Sequence, residues 1–192
     1  MVENNSNYNT KKLLSDALKR MMTKKPLEKI TIKEIVDLCN LNRRTFYYHF
    51  QDIYQLLEWI YKEEAVNQIE VNNSYSKWQD GLIYLFKYIE RDKEVSLCAF
   101  HSLGREYLEK FLYSVTYRVT REIVDEVSED LDVNSSYKDF VAYYYTVSLV
   151  GMVIHWIQSG MNEEPETIAE FIRITIQGTM RKALERFENL EN

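Results

Sequence analysis

Residues 31–50 read TIKEIVDLCNLNRRTFYYHF, and this stretch decides the fold of the N-terminal part of the chain. Thr31 can cap a short helix at its start, and Asn42 can cap a second one. Between them Asn40 interrupts the apolar pattern, and asparagine adopts the left-handed backbone conformation more readily than most residues. Two short helices joined by a turn of three to four residues form a helix-turn-helix. The stretch therefore predicts this motif.

The second helix of the motif has two chemically different faces. Phe46 and Phe50 are four residues apart and therefore share one face. We expect that face to pack on Ile35 and on either Leu38 or Leu41. An aromatic amphipathic helix that only packs inside the protein is the alternative interpretation of the same residues.

The opposite face carries basic and phenolic side chains. Arginine presents forked donors that match guanine edges and phosphates, and tyrosine offers a hydroxyl for phosphate oxygens and a ring for thymine methyl or sugar contacts. Shorter polar side chains on this face can also contact DNA. The backbone N–H groups at the start of a helix can bind a phosphate. The predicted DNA-contacting residues are Thr31, Asn42, Arg43, Arg44, Thr45, Tyr47, Tyr48 and His49.

The composition favours a helical globular protein. Of 192 residues, 45% are hydrophobic and 28% are charged, which is ordinary for a chain with a core. Only 5 glycines and 2 prolines occur, fewer than the turns of a sheet protein need. The N-terminus lacks the apolar segment of a secretory signal, and no run of about 18 apolar residues is found. The sequence thus predicts a cytoplasmic protein without a membrane span.

Charge is distributed unevenly along the chain. The net charge of −6 combines +4 in residues 1–57, which hold ten Lys/Arg and six Asp/Glu, with −10 in the remainder. A basic N-terminal region on an acidic body indicates that only this region meets a polyanion, although chance clustering is the alternative.

Apolar residues recur at helical spacing along most of the chain. Thr10 is a candidate cap for the first helix, Pro165 opens the last, and the β-branched stretch 115–124 is interpreted as helix although a strand is the alternative. With the two helices of the motif, about nine helices and no sheet are predicted. The others cover about 10–23, 52–71, 77–91, 93–102, 104–128, 136–159 and 165–188.

These residues resemble the N-terminal domain of TetR-family transcriptional regulators. The resemblance covers about residues 7–67 and rests on Ile35, the Thr45–Phe50 signature, and Leu56 with Leu57 in the following helix. More loosely, LLEWIYKEE and WQDGLIYLFKYI look like the subgroup linked to dihydroxyacetone-kinase operons.

The resemblance implies an all-α fold of two domains. One is a helix-turn-helix DNA-binding domain of three helices at 7–67, and the other is a helical ligand-sensing and dimerisation domain at 68–192. The chain departs from the family where many members have a turn glycine, here Asn40, and a lysine, here Ile53. Ile53 removes one phosphate contact, which Gln51 and Tyr54 can partly replace.

The helix over 136–159 is apolar on nearly every side, and such a helix must be covered on every side. We expect a second copy to cover the outer side, although a central core helix of a monomer is the alternative. The predicted dimer interface consists of Val147, Val150, Gly151, Ile154, Ile172, Ile176 and Met180.

The ligand is less well defined by the sequence. Aromatic residues and histidines of the C-terminal region are candidates for a pocket, although most such residues form ordinary core. Cys98 and His101 are three residues apart, but too few other cysteines and histidines are present for a four-ligand metal site, so no metal and no cofactor are predicted. The candidate pocket residues are Phe100, His101, Tyr113, Tyr117, Tyr144, His155 and Trp156.

The sequence predicts a DNA-binding transcriptional regulator, specifically a ligand-responsive repressor that binds a palindromic operator as a homodimer. Its effector is an unknown small molecule or a partner protein. The alternative is a helical adaptor or co-regulator that acts through a protein partner and binds DNA weakly or not at all. Catalysis is not predicted, because no phosphate-binding loop, nucleophile elbow or paired-histidine metal motif occurs.

Overall fold

A computed structural model describes residues 2–66 and 78–191 of the chain. All regular structure in these ranges is helical, which confirms the predicted all-α fold. A 3₁₀ turn covers Leu27–Lys29, and a π-helical turn covers Lys62–Val66. The α-helices are α1 Val2–Met22, α2 Ile32–Leu38, α3 Arg43–His49, α4 Ile53–Tyr61, α5 Trp78–Arg91, α6 Lys93–Phe100, α7 Arg105–Val127, α8 Ser135–Gln158, α9 Pro165–Ile176 and α10 Thr179–Glu191.

The chain forms two compact units. The first comprises Met1–Glu64 and Asp92–Phe111, and the second comprises Ala65–Arg91 and Leu112–Asn192. Helix α6 therefore packs with the N-terminal residues, against α1. The boundary predicted between residues 67 and 68 lies outside the described residues, and the division of function between 7–67 and 68–192 stays a prediction.

Helix α1 begins at Val2, well before the predicted start near residue 10. Thr10 does not cap it, because its hydroxyl donates to the Ser6 carbonyl oxygen one turn earlier at 3.0 Å. The apolar stripe of α1 is buried as its spacing predicts, with Leu14 and Leu18 fully inaccessible to solvent. This stripe packs against α2, α4 and α6 and forms the core of the first unit.

The second unit contains α5, most of α7, and α8, α9 and α10. The β-branched stretch 115–124 is helical within α7, as predicted. The helix predicted over 165–188 is instead two helices, since α9 ends at Ile176 and α10 starts at Thr179. Gly178 lies between them with φ +71°, a backbone conformation that a glycine adopts without strain. This break accounts for one helix more than predicted in the described ranges.

Helix α8 is the most apolar helix of the second unit. Residues 140–158 contain no Asp, Glu, Lys or Arg. An 18-residue window of α8 has a mean hydropathy of 1.5, so by length and composition alone this one described helix can cross a membrane. The helix is not a continuous apolar run, because Thr146, Ser148 and His155 interrupt it, and the expectation of a chain without a membrane span stays a prediction. Core helices of soluble proteins pass the same test, and 44% of the window is buried inside the protein.

Candidate nucleic-acid interface and effector cavity

Helix α2 starts with the predicted Thr31 cap. The Thr31 hydroxyl accepts from the Glu34 N–H at 3.3 Å, and the Glu34 carboxylate accepts from the Thr31 N–H at 2.9 Å, which forms a capping box. Lys25 Nζ lies 2.6 Å from the other Glu34 oxygen. The Thr31 hydroxyl also donates to the Glu34 carboxylate at 2.7 Å. The Lys25 ammonium and the two hydrogen bonds that Thr31 donates to the carboxylate, from its hydroxyl and its N–H, lower the pKa of Glu34 from 4.5 to about 2. The start of α2 is thus held by one ionised carboxylate.

The turn between α2 and α3 depends on Asn40. Its φ of 54° places it in the left-handed region that the sequence suggested. The reversal lets the Leu41 N–H donate to the Val36 carbonyl at 2.9 Å, which closes α2. The same kind of backbone hydrogen bond occurs at helix ends that terminate in a left-handed glycine.

Helix α3 starts at Asn42, whose side-chain oxygen accepts from the Thr45 N–H at 2.9 Å. Phe46 and Phe50 are buried as predicted, and their ring centroids are 5.9 Å apart. Helix α2 packs against α3, with Ile35 inaccessible to solvent. Leu38, one of the two expected partners of this face, is instead 49% exposed.

The opposite face of α3 is open to solvent. Tyr47 and Tyr48 are 58% and 77% exposed, and Arg43 and Arg44 are exposed as well. No ion pair engages either arginine within the described residues. Thus two cations and two phenols lie outward on a short helix whose phenylalanines anchor it to the core.

The remaining predicted contacts border this face. Thr31 and Asn42 are exposed, while Thr45 and His49 are half-buried. Partial burial and then the nearby Lys11 charge lower the pKa of His49, so its imidazole is neutral at pH 7. A neutral ring offers one donor and one acceptor and adds no charge to the surface.

Helix α4 starts where many family members have a lysine. Asp52 caps it by accepting from the Gln55 N–H at 2.8 Å. The Tyr54 ring stacks on Tyr107 with centroids 5.2 Å apart, and Tyr54 is half-buried. Gln51 is exposed, and its N–H donates to the Gln55 side chain at 2.7 Å. Of the two suggested replacements for the lysine, Gln51 is therefore the more accessible.

A set of ion pairs in the first unit was not visible in the sequence. Lys19 Nζ lies 2.8 Å from Glu64 Oε2 and 2.7 Å from Asp92 Oδ2, and Lys12 Nζ lies 3.1 Å from Glu64 Oε1. Burial alone raises the pKa of Glu64, but the hydrogen bonds and charges of Lys19 and Lys12 outweigh it and lower that pKa. With Lys25, three of the basic residues counted toward the N-terminal charge thus face carboxylates.

The second unit contains a cavity of about 200 Å³. It lies among α5, α7, α8, α9 and α10, and it includes residues on both sides of the break at Gly178. Its lining consists of Trp78, Gln79, Gly81, Leu82, Leu85, Val115, Thr116, Val119, Thr120, Ile123, Leu149, Arg173, Ile176, Gln177 and Met180.

None of the seven candidate pocket residues lines this cavity. Trp156 is buried elsewhere, where its indole N–H donates to the Glu163 carbonyl at 2.8 Å and its ring meets Phe86 edge to face. The others are buried in the first unit (Phe100), half-buried (Tyr113) or exposed (His101, Tyr117, Tyr144 and His155). Helical spacing did not identify the lining, because it depends on how five helices meet.

Three polar lining residues, Thr120, Arg173 and Gln177, are already engaged. The Thr120 hydroxyl lies 2.7 Å from the Thr146 hydroxyl and within hydrogen-bond distance of the Ala142 carbonyl. The Arg173 guanidinium binds the Glu170 carboxylate through two nitrogens and donates its third to the Gln177 side chain at 2.9 Å. These bonds engage the Thr120 hydroxyl and all three guanidinium nitrogens of Arg173 within the protein.

The outer side of α8 forms a charge-free stripe. We define the α8 stripe as Phe140, Tyr143, Tyr144, Val147 and Gly151, which are all exposed. A Cβ built on Gly151 meets nothing within 4 Å, so the backbone there is open to close approach.

The seven residues predicted for the dimer interface are placed differently by the structure. Val147 and Gly151 are exposed and belong to the α8 stripe, and Ile154 and Ile176 are half-buried. Val150, Ile172 and Met180 are buried inside the protomer, because their helical positions turn toward the core of the second unit. Nothing in the apolar pattern distinguished the inner side of α8 from the outer side.

The described residues contain no group of three or more histidine, cysteine, aspartate or glutamate side chains suited to a metal ion. Cys98 is half-buried, and its thiol donates to the Lys25 carbonyl at 3.6 Å. His101 is exposed.

Comparison with known proteins agrees with this geometry. Residues 14–60 match the family described as "Bacterial regulatory proteins, tetR family", and residues 76–178 match "Transcriptional regulator C-terminal region". The "HTH-type dhaKLM operon transcriptional activator DhaS" of Lactococcus lactis subsp. lactis (strain IL1403) is 24% identical over 156 residues, which cover 81% of this chain and 83% of that protein.

A solved structure has the same fold. The "Dihydroxyacetone kinase operon activator DhaS" superposes with a TM-score of 0.69 at 20% identity, and the match covers 93% of this chain and 97% of that one. The resemblance to the TetR family, and to its dihydroxyacetone-kinase operon subgroup, is confirmed. The second family match alone spans more than half of the chain. The chain belongs to the TetR family of transcriptional regulators.

Proposed function

We propose that this protein is a cytoplasmic regulator that binds a palindromic operator as a homodimer. The observation that carries the proposal is the division of α3 into two faces. Phe46 and Phe50 anchor the helix, while Arg43, Arg44 and the tyrosines are left for the major groove. We assign base contacts to the arginines, and phosphate and sugar contacts to the tyrosines and to Asn42.

Dimerisation rests on the α8 stripe. Large exposed apolar patches on soluble proteins mark interaction surfaces, and this one carries no charge that must be desolvated. A two-fold dimer must hold its recognition helices about 34–36 Å apart so that they enter successive major grooves. An effector changes the affinity for DNA only if it binds the dimer more tightly in one spacing of the recognition helices than in the other.

The target and the direction of regulation follow from the relatives by analogy. DhaS is named for a dihydroxyacetone kinase operon, and we propose a corresponding operator for this chain. The sequence predicts a repressor, whereas DhaS is named as an activator. The position of the operator relative to the promoter determines the direction, and a reporter gene with and without the protein measures it.

The test is a gel shift and footprint on the DNA upstream of the protein's own gene and its neighbours. We expect a two-fold symmetric footprint and an affinity that falls steeply as salt rises, because phosphate contacts release counterions. A helical adaptor instead forms the dimer but binds no DNA in a salt-dependent way. That outcome supports the alternative function, in which a protein partner replaces the operator.

A further inference from the structure

We propose that the cavity of the second unit binds a neutral, ring-sized apolar molecule with one hydroxyl-type polar group. The same features disfavour small polyols and cations. This inference rests on the proposed function, in which the second unit senses an effector.

The size of the cavity sets the size of the occupant. An apolar cavity of about 150 Å³ lined by leucine, isoleucine and phenylalanine side chains accommodates benzene. The cavity here is about 200 Å³, which leaves room for a six-membered ring with one or two small substituents. The lining that contacts such a ring is mainly aliphatic, namely Leu82, Leu85, Val115, Val119, Ile123, Leu149, Ile176 and Met180.

The charges around the cavity favour a neutral occupant. No aspartate or glutamate is among the lining residues that the structure describes, so a cation finds no counter-charge among them. Among the described lining residues Arg173 alone is charged, and its guanidinium is held by the Glu170 carboxylate and the Gln177 side chain. An anion must therefore displace Glu170 from Arg173 before it gains an ion pair.

The lining offers few free polar groups, namely the Thr116 hydroxyl, the Trp78 indole N–H, the Gln79 side-chain amide and the Gln177 side-chain NH₂. Within the described residues, no hydrogen bond engages the Thr116 hydroxyl or the Trp78 indole N–H, and both residues line the cavity. A hydroxyl group of the occupant can bond to either of them. A compound of several hydroxyls must leave some against aliphatic side chains, and each unpaired polar group costs about 1–3 kcal/mol.

The position of the cavity connects its occupant to the proposed interface. Ile176 and Met180 lie on opposite sides of the break at Gly178, and Leu149 is on the helix that carries the α8 stripe. An occupant that contacts all three stabilises one arrangement of α8, α9 and α10 over others.

The test uses p-cresol, a ring with one hydroxyl and one methyl group, and dihydroxyacetone as the polyol. Calorimetric titration and thermal unfolding of the full chain measure binding. We expect p-cresol to bind and to raise Tm, and dihydroxyacetone to do neither.

Ile176→Phe fills the cavity and is expected to weaken p-cresol binding more than about tenfold, since it removes the space the ring needs. Ile174→Phe is the matched control, because Ile174 is on the same helix and is 61% exposed.

A second variant tests the polar contact. Thr116→Val keeps the shape of the side chain and is expected to weaken p-cresol binding by about five- to tenfold while leaving toluene unchanged. If Ile176→Phe does not fold, Val119→Ile reduces the same space by one methyl group. The inference is overturned if p-cresol does not bind, if it binds Ile176→Phe as tightly as the native chain, or if dihydroxyacetone binds and Ile176→Phe abolishes it. Operator binding without ligand is measured in parallel, and its failure overturns the proposed function independently.

Discussion

Lys19 and Glu64 are 45 residues apart in the chain and form an ion pair in which Nζ lies 2.8 Å from Oε2. The same ammonium lies 2.7 Å from Asp92. Glu64 is the last residue of the first segment of the first unit, and Asp92 is the first residue of its second segment. One lysine of α1 therefore binds both positions at which the chain leaves the first unit and returns to it.

We expect Lys19→Met to destabilise the protein by about 2 kcal/mol, because it leaves two partly buried carboxylates with less compensation. The Lys19 side chain is 18% exposed and that of Glu64 is 13% exposed. Lys12→Met is the matched control on the same helix, since Lys12 is 43% exposed and is expected to cost less than about 1 kcal/mol. Urea unfolding measures both variants. Equal losses of unfolding free energy in the two variants would show that the Lys19 ion pairs stabilise the protein no more than those of Lys12.

Arg44→Ala and Tyr48→Ala are expected to weaken operator binding without lowering Tm, because both side chains are exposed on α3. Loss of a base or phosphate contact costs about 1–3 kcal/mol, or about five- to 150-fold in affinity. Arg186→Ala, at an exposed position of α10, is the control for removing one positive charge. Gel shift and thermal unfolding are measured on the same samples. Unfolding by Arg44→Ala would contradict the outward orientation of α3.

Phe46→Ala is expected to have the opposite effect. The Phe46 side chain is inaccessible to solvent, and truncating such an aromatic residue costs about 3–5 kcal/mol. Tyr47→Ala, at the neighbouring exposed position, is expected to change the free energy of unfolding by less than about 1 kcal/mol. A comparable loss in both variants would mean that α3 is not divided into a core face and a solvent face.

The pKa of Glu34 makes the start of α2 sensitive to acid. Its folded pKa of about 2 lies below the ordinary 4.5, so the carboxylate contributes stability that is fully present above pH about 4.5. This contribution is lost as pH falls from there toward 2. Urea unfolding at several pH values is expected to show a smaller loss between pH 5 and about 3 for Glu34→Gln than for the native chain. If the free energy of unfolding falls equally with pH in Glu34→Gln and in the native chain, the pKa assigned to Glu34 is wrong.

Val147→Glu is expected to weaken the proposed dimer about a hundredfold or more, because it places an unpaired charge on the α8 stripe. Leu103→Glu is the control, since Leu103 is 69% exposed in the first unit. Sedimentation equilibrium of both variants and of the native chain gives the dissociation constants. If the native chain is a monomer, or if Val147→Glu dimerises normally, the stripe is not the interface.

The sequence predicted those parts of the molecule that depend on neighbouring residues. The caps at Thr31 and Asn42, the left-handed Asn40 and the burial of Phe46 arise from contacts within about ten residues, and all were predictable. The Lys19 ion pairs were not, because they join residues 45 and 73 positions apart.

The second unit was harder to predict for the same reason. An apolar helix such as α8 gives no periodic signal that separates its core side from its exposed side, so Val150 and Val147 look alike in the sequence. The break at Gly178 lies inside a periodic pattern that continues through it. The cavity lining combines residues of five helices, and only their packing brings Trp78 near Met180.

The break at Gly178 also divides the end of the chain into two separate hydrogen-bond ladders. The last bond of α9 runs from the Gln177 N–H to the Arg173 carbonyl, and the first bond of α10 runs from the Lys182 N–H to the Gly178 carbonyl. The C-terminal helix can therefore open by local unfolding while α9 stays intact. Its amide protons are expected to exchange with deuterated solvent as a cooperative group of their own, earlier than those of α8 and α9.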